Sequence, residues 1–389
     1  MNSFRLRLLG ALMVLTGVIA HATPTLNDTT KAYSMPLLAR TPQGAVVLSW
    51  TEKDKQGLVS FCLSVSTDKG QNFSDKKVIF AGPGIGNSRL MRAKVLFKKD
   101  GTWVAVFSNR GEGAPQGKRS SDIVYCVSKD QGNTWTPPQV VDTDPTKGVR
   151  GFFDAVVLAN DEIAVAYLKD VANSTKHEER DLRMAVTKNG VFQPEKLVDP
   201  VVCDCCNISL LVDAKGTLNV YYRDNNDDIR DIARMTSNDN GATFNKSQIL
   251  FQDGWKIAGC PHSGASSITL GKGALVTWYS GTNNEPGTRL VTQEGKRLLT
   301  LDAAAKNAYL AGNGTTGVLL WEQNASESNL SQIAYRKINA DKLSDVTWVK
   351  ESVNATNAAA MVVDNQLIVA YEVKQPNKRN SLSIASVAL

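Results

Sequence analysis

The chain has 389 residues, 42% of them hydrophobic and 21% charged, with a formal net charge of +6. That apolar fraction supports a large core and excludes an intrinsically disordered chain, and 29 Gly without a three-residue period exclude collagen. Three His in the whole chain exclude poly-His metal centres, and the mild, scattered positive charge makes nucleic acid a poor partner.

The N-terminus reads as an export signal. Arg5 and Arg7 precede an apolar run from Leu8 to Ile19, and Ala20-His21-Ala22 supplies a small-x-small cleavage site. Residues 1–22 are therefore expected to be a signal peptide, and 23–389 a single mature domain that is periplasmic or secreted. Cleavage lowers the formal charge to +4 and leaves only His177 and His262. No later segment approaches the ~18 apolar residues of a membrane-spanning helix. Export also permits disulfides.

From Gly44 onward the chain repeats. A strand-like run ending in an aromatic recurs as GAVVLSW (Trp50), GTWVAVF (Phe107), DEIAVAY (Tyr167), GTLNVYY (Tyr222), GALVTWY (Tyr279), TTGVLLW (Trp321) and NQLIVAY (Tyr371). Each run is rich in Val, Leu and aromatics and is bounded by Gly, Asn, Asp or Thr, with no helical period between runs. A second apolar run precedes most copies, such as MPLLAR from Met35 and FFDAVVL from Phe152. A third follows, such as VSFCLSVS from Val59. Four short antiparallel strands at a period of about 50 residues describe a propeller blade. The fold expected is an all-β propeller of seven blades, with six blades as the alternative. The last unit stops after its third strand, so the segment from Thr23 to Tyr33 is expected to supply the fourth and close the ring.

The turn after the third strand carries a motif of its own. It reads STDKGQNF at 66–73, SKDQGNTW at 128–135 and SNDNGATF at 237–244, with a degraded copy, TKNG, ending at Gly190. Asp can accept bonds from turn amides and Gly supplies a positive φ. Asp68, Asp130 and Asp239 are thus expected to stabilise turns rather than act in catalysis or ligate calcium.

This motif resembles the Asp box, or bacterial neuraminidase repeat, of the sialidase-like propellers, and the resemblance covers essentially the whole mature chain. It implies a carbohydrate or glycoconjugate ligand, no required cofactor, a monomer and, if the chain is an enzyme, a glycoside hydrolase of exo-α-sialidase type. Such enzymes clamp a sugar carboxylate with three arginines, whose forks bind carboxylates bidentately. They use an Asp as acid/base and a Tyr nucleophile activated by a Glu. Where the family has an Arg near the first inner strand, this chain has Ser34-Met35-Pro36. Motif alone therefore does not recover the catalytic set. By location on the face opposite the Asp boxes, the catalytic candidates are Asp154, Tyr279 and Glu285. The ligand-binding candidates are Arg92, Arg150, Arg223, Arg289 and Trp255. Tyr279 also occupies the repeated aromatic position, for which core packing is expected.

A cysteine cluster is the most individual feature. Cys203, Cys205 and Cys206 precede the first strand of blade four, and Cys260 with His262 precedes that of blade five. These are equivalent loops one repeat apart, so they should meet. Three readings stay open: a disulfide stapling the blades, a thiolate site for a soft metal such as copper(I) or zinc with His262 as a further ligand, and a reactive thiol. The second would make the chain a non-catalytic, metal-handling propeller. Cys62 and Cys126 lie in the third strands of blades one and two, as buried thiols or as a pair.

Overall fold

The computed structural model describes residues 25, 26, 28–110, 121–144, 148–171, 174, 179–325 and 329–389. The expected signal peptide and His177 lie outside these residues. Everything described is strand, turn or loop, and no helix among the described residues is long and apolar enough to cross a membrane.

Seven antiparallel sheets follow one another along the chain. Blade one comprises Ala32–Arg40, Val46–Lys53, Val59–Ser66 and Lys77–Gly82. Blades two to six begin with Lys94–Phe97, Arg150–Val157, Ser209–Val212, Ser266–Leu270 and Lys306–Gly312. Blade seven holds Ala355–Val363, Gln366–Val373 and Ser381–Ala388. Its fourth strand is Thr25–Leu26, which pairs with Ser383 and Leu382 as the sequence led us to expect. Thr25–Leu26 and Ser381–Ala388 thus share one sheet. The seven first strands contact one another in a closed ring around the axis.

Each second strand is sandwiched between neighbouring blades, so it is apolar on both faces; Val46–Lys53 is buried at every position but its last. The repeated aromatics Trp50, Phe107, Tyr167, Tyr222, Trp321 and Tyr371 are buried in these interblade layers, each stabilising the fold by about 1.5–3 kcal/mol. Tyr279 departs from the pattern. Its neighbour Trp278 takes the core position, with its indole N–H donating to Asp253 at 2.7 Å. The Tyr279 side chain is left at the channel.

The three Asp boxes are the same small device. In each, the Ser hydroxyl donates to the Asp and accepts the Gly N–H, as in Ser128 to Asp130 at 2.8 Å and Gly132 to Ser128 at 2.8 Å. The same Asp oxygen accepts the N–H four residues on, at 2.9 Å in all three. These bonds hold the Asp68 and Asp130 carboxyls down at about 2 and that of Asp239 lower still. The aspartates spend their acceptors on the turn. In the degraded copy the missing carboxylate comes from elsewhere. Glu162, on the preceding hairpin, accepts the Thr187 hydroxyl and the Asn189 N–H.

Candidate functional site

On the face opposite the Asp boxes, four first strands contain a bulge, between Ser34 and Leu37, Gly151 and Asp154, Lys306 and Tyr309, and Thr356 and Ala359. Each bulge holds a non-glycine residue at positive φ: Met35 (54°), Phe152 (51°), Asn307 (53°) and Asn357 (54°). Bulges re-aim side chains and turn carbonyls outward. Two are anchored by a carboxylate from the preceding blade: Glu372 accepts the Met35 N–H at 2.9 Å, and Glu322 accepts the Asn357 N–H at 2.6 Å.

The result is a cavity of about 480 Å³ at the channel, with lining from all seven blades. Arg92 lies in its wall. Its guanidinium donates to the carbonyls of Pro36, Asn357 and Ala358 at 3.1–3.2 Å, tying the bulges of blades one and seven together. The guanidinium carbon lies 5.9 Å from the centre of the Tyr309 ring. Asp154, re-aimed by its bulge, is buried and ion-paired with Lys94. Its other oxygen accepts the Leu210 N–H at 2.7 Å. Burial pushes the Tyr309 hydroxyl above its ordinary range, and the charges of Arg92 and Lys94 act against that rise. Arg89 and Lys306 line the same cavity, so four cations and the Asp154 carboxylate stand in its wall.

The sequence-based candidates therefore separate. Arg92, Asp154 and Tyr279 share the cavity. Arg150, Arg223 and Arg289 do not converge there. Each is buried and engaged by its own surroundings: Arg150 by Asp142 at 2.5 Å and the Asp144 carbonyl, Arg289 by Asp253 at 2.9 Å and the Glu285 carbonyl. Arg223 donates to the carbonyls of Ser263, Tyr279 and Arg230 and pegs blade four to blade five. Trp255 is buried beneath it, with the guanidinium 5.0 Å from the ring centre, so its face is covered by protein. The Glu285 side chain is exposed and pairs with Arg297 at 2.6 Å, outside the cavity lining. Lys94, Lys306 and Tyr309 were missed. Only a bulge in the first strand brings Tyr309 to the cavity, and no residue pattern marked one.

The cysteine loops do meet. Cys203 closes the outer strand Lys196–Cys203 of blade three, and its sulfur lies 3.9 Å from that of Cys205 and 3.7 Å from that of Cys206. The ligand atoms of Cys205, Cys260 and His262 also lie within 4.8 Å of one another. The six cysteines are free thiols, and burial pushes those of Cys62 and Cys126 up to about 12. A further acidic group, Asp142, Asp144 and Glu195, already surrounds the Lys169 ammonium at 2.6–2.9 Å.

Residues 111–309 match the family model of the BNR repeat-like domain. No curated protein matches the sequence. Among solved structures, an ulvan lyase of a polysaccharide lyase family superposes with a TM-score of 0.58 at 11% identity, over 92% of this chain and 94% of its own. A protein of unknown function from Dyadobacter fermentans gives 0.54 at 12% identity, over 92% and 96%. A Hadza microbial sialidase gives 0.52 at 14%, over 92% of this chain and 66% of the sialidase. At these identities the likeness is one of fold.

Proposed function

This chain belongs to the BNR repeat-like family and is a sialidase-like propeller, and we propose that it binds an anionic carbohydrate or glycoconjugate in the channel cavity. The observation that carries this reading is the charge of the lining: among the described residues, Arg89, Arg92, Lys94 and Lys306 line the cavity with one carboxylate, Asp154, while Glu322 and Glu372 lie behind it. A concave site with a surplus of cations concentrates anions. Ser209, Ser267, Asn207 and Asn307 supply hydroxyl and amide groups along the lining, and Tyr279 and Tyr309 supply aromatic surface. That mixture suits a sugar bearing a carboxylate or sulfate. Two of the similar structures are named as a sialidase and a polysaccharide lyase, which supports the carbohydrate class.

Binding is favoured over hydrolysis of sialidase type. Both Asp154 oxygens are already engaged, one by the Lys94 ammonium and the other by the Leu210 N–H, so neither is free to face a ligand. Among the described residues, no Glu lines the cavity beside Tyr279 or Tyr309. The N-terminal Arg5, Arg7 and apolar run support action outside the cytoplasm.

Calorimetric titration with oligosaccharides ending in sialic or uronic acids, alongside neutral counterparts, tests the proposal. Acidic sugars should bind, neutral ones should not, and Arg89→Glu should abolish binding. Equal binding of neutral sugars, or no binding of any acidic sugar, would overturn it. Product analysis of the same mixtures should show uncleaved sugar.

A further inference from the structure

The densest group of ligating side chains lies beside the cationic wall, at the seam of blades three, four and five. Cys203, Cys205 and Cys206 are buried together, while Cys260 and His262 are exposed at the outer edge. Cys205 belongs to both groups. Sulfur separations of 3.7 and 3.9 Å are far too long for a disulfide, whose bond is about 2.05 Å. They are instead close to the separations expected when three thiolates surround one ion at metal–sulfur distances of about 2.3 Å, which place sulfurs about 4 Å apart.

Two independent features support a built site. His262 stands in its loop at φ 50°, which fixes the direction of its imidazole relative to Cys260. The His262 carbonyl accepts the Arg89 guanidinium at 3.0 Å, so the residue is fastened from the cavity side and its imidazole joins Cys205 and Cys260. Arg223, fixed on three carbonyls, holds the carbonyl of Ser263, the residue after His262, at 2.8 Å and so fixes this loop from the blade-four side.

The donor count discriminates between ions. Structural zinc takes four ligands around one centre. Here five donors fall into two overlapping triads that share one sulfur, an arrangement that satisfies two three-coordinate ions with a bridging thiolate. Soft thiolates select copper(I). We propose that Cys203, Cys205, Cys206, Cys260 and His262 form a cuprous thiolate site in which Cys205 bridges two ions. Loading displaces the thiol protons to solvent. The exposed Cys260–His262 end is where copper arrives, and the buried triad is where it is held.

The full chain, reduced under anaerobic conditions, would be titrated with Cu(I) against a chromophoric chelator, and with Zn(II) in parallel. Wild type should retain about two equivalents of Cu(I) per chain. Cys205→Ser should lower affinity by about ten- to a hundredfold and His262→Ala should release the outer ion alone. Cys62→Ala/Cys126→Ala should bind as wild type, and circular dichroism should show all variants folded. Retention of less than one equivalent of Cu(I), preference for one zinc over copper, or thiols that purify as disulfides when oxidant is excluded would overturn the assignment.

Discussion

The Lys94 ammonium and the buried Asp154 carboxylate form an ion pair across the seam between blades two and three. The same carboxylate accepts the Leu210 N–H of blade four at 2.7 Å, so one side chain joins three blades. Asp154→Ala leaves Lys94 without its partner and orphans a buried amide. The expected loss is about 3 kcal/mol, the lower end for a broken buried pair because Lys94 is partly exposed. The Lys94→Met/Asp154→Ala double variant should recover part of that loss, since the unpaired ammonium is gone. Urea unfolding of the single and double variants measures both; a double variant no more stable than Asp154→Ala would show that Lys94 does not depend on the pair.

Arg92 is predicted to be a strut as well as a charge. Its guanidinium meets the carbonyls of Pro36, Asn357 and Ala358, which a single ammonium cannot reproduce. Arg92→Lys should therefore destabilise the fold by about 2 kcal/mol, the cost of leaving buried carbonyls under-satisfied. It should keep most of the affinity for acidic sugars, whereas Arg92→Ala should lose both. Thermal unfolding and calorimetry on the two variants separate the roles. A Lys variant as stable as wild type would remove the strut.

Much of this fold was legible because the second strands are buried on both faces. Runs such as GAVVLSW had to be continuously apolar, and the aromatic at the end of each was visible at a regular spacing. Closure by Thr25–Leu26 could be read from the strand missing after Ala388. The cysteine seam was legible for a similar reason: loops one repeat apart occupy equivalent places on adjacent blades. The channel wall was hidden. A bulge shifts every later side chain of its strand to the other face, so Tyr309 could not be assigned to the cavity from alternation. Arg150, Arg223 and Arg289 resembled a clamp because their loops share a face, yet each is engaged by protein neighbours: Arg150 by the nearby Asp142, Arg223 and Arg289 by Ser263 and Asp253, distant in sequence.

The Asp boxes predict an acid-dependent contribution to stability. The Asp130 carboxyl is lowered from 3.8 to about 2, first by the Thr134 hydroxyl and then by the Thr134 N–H. A carboxyl depressed in the folded state stabilises fully above its unfolded value, loses that contribution as pH falls from 3.8 towards 2, and contributes nothing below. Asp130→Asn should thus be less stable than wild type by a constant amount from neutral pH down to about 4, and the difference should shrink to its minimum near pH 2. Unfolding midpoints in urea across this range provide the check. A difference independent of pH would mean that charge plays no part in the turn.

Two glycines at the same backbone conformation should respond differently to a methyl group. Gly70, in the first Asp box, has φ +85° and Gly101, in a hairpin of blade two, has φ +88°. Alanine at either costs about 1–2 kcal/mol for the left-handed backbone. At Gly101 nothing lies within 4 Å of the added carbon, so that cost is the whole effect. At Gly70 the added carbon falls 2.4 Å from Cδ1 of Ile368, a buried side chain of blade seven. Ile368 must then leave its rotamer or the box must withdraw from the neighbouring blade, at a further cost of about 1–3 kcal/mol. Gly70→Ala should accordingly lose about twice as much stability as Gly101→Ala, and Gly70→Ala combined with Ile368→Val should lose less than the two changes add up to. Denaturant unfolding of the three variants decides it. Equal losses at the two glycines would show that the box does not press on blade seven.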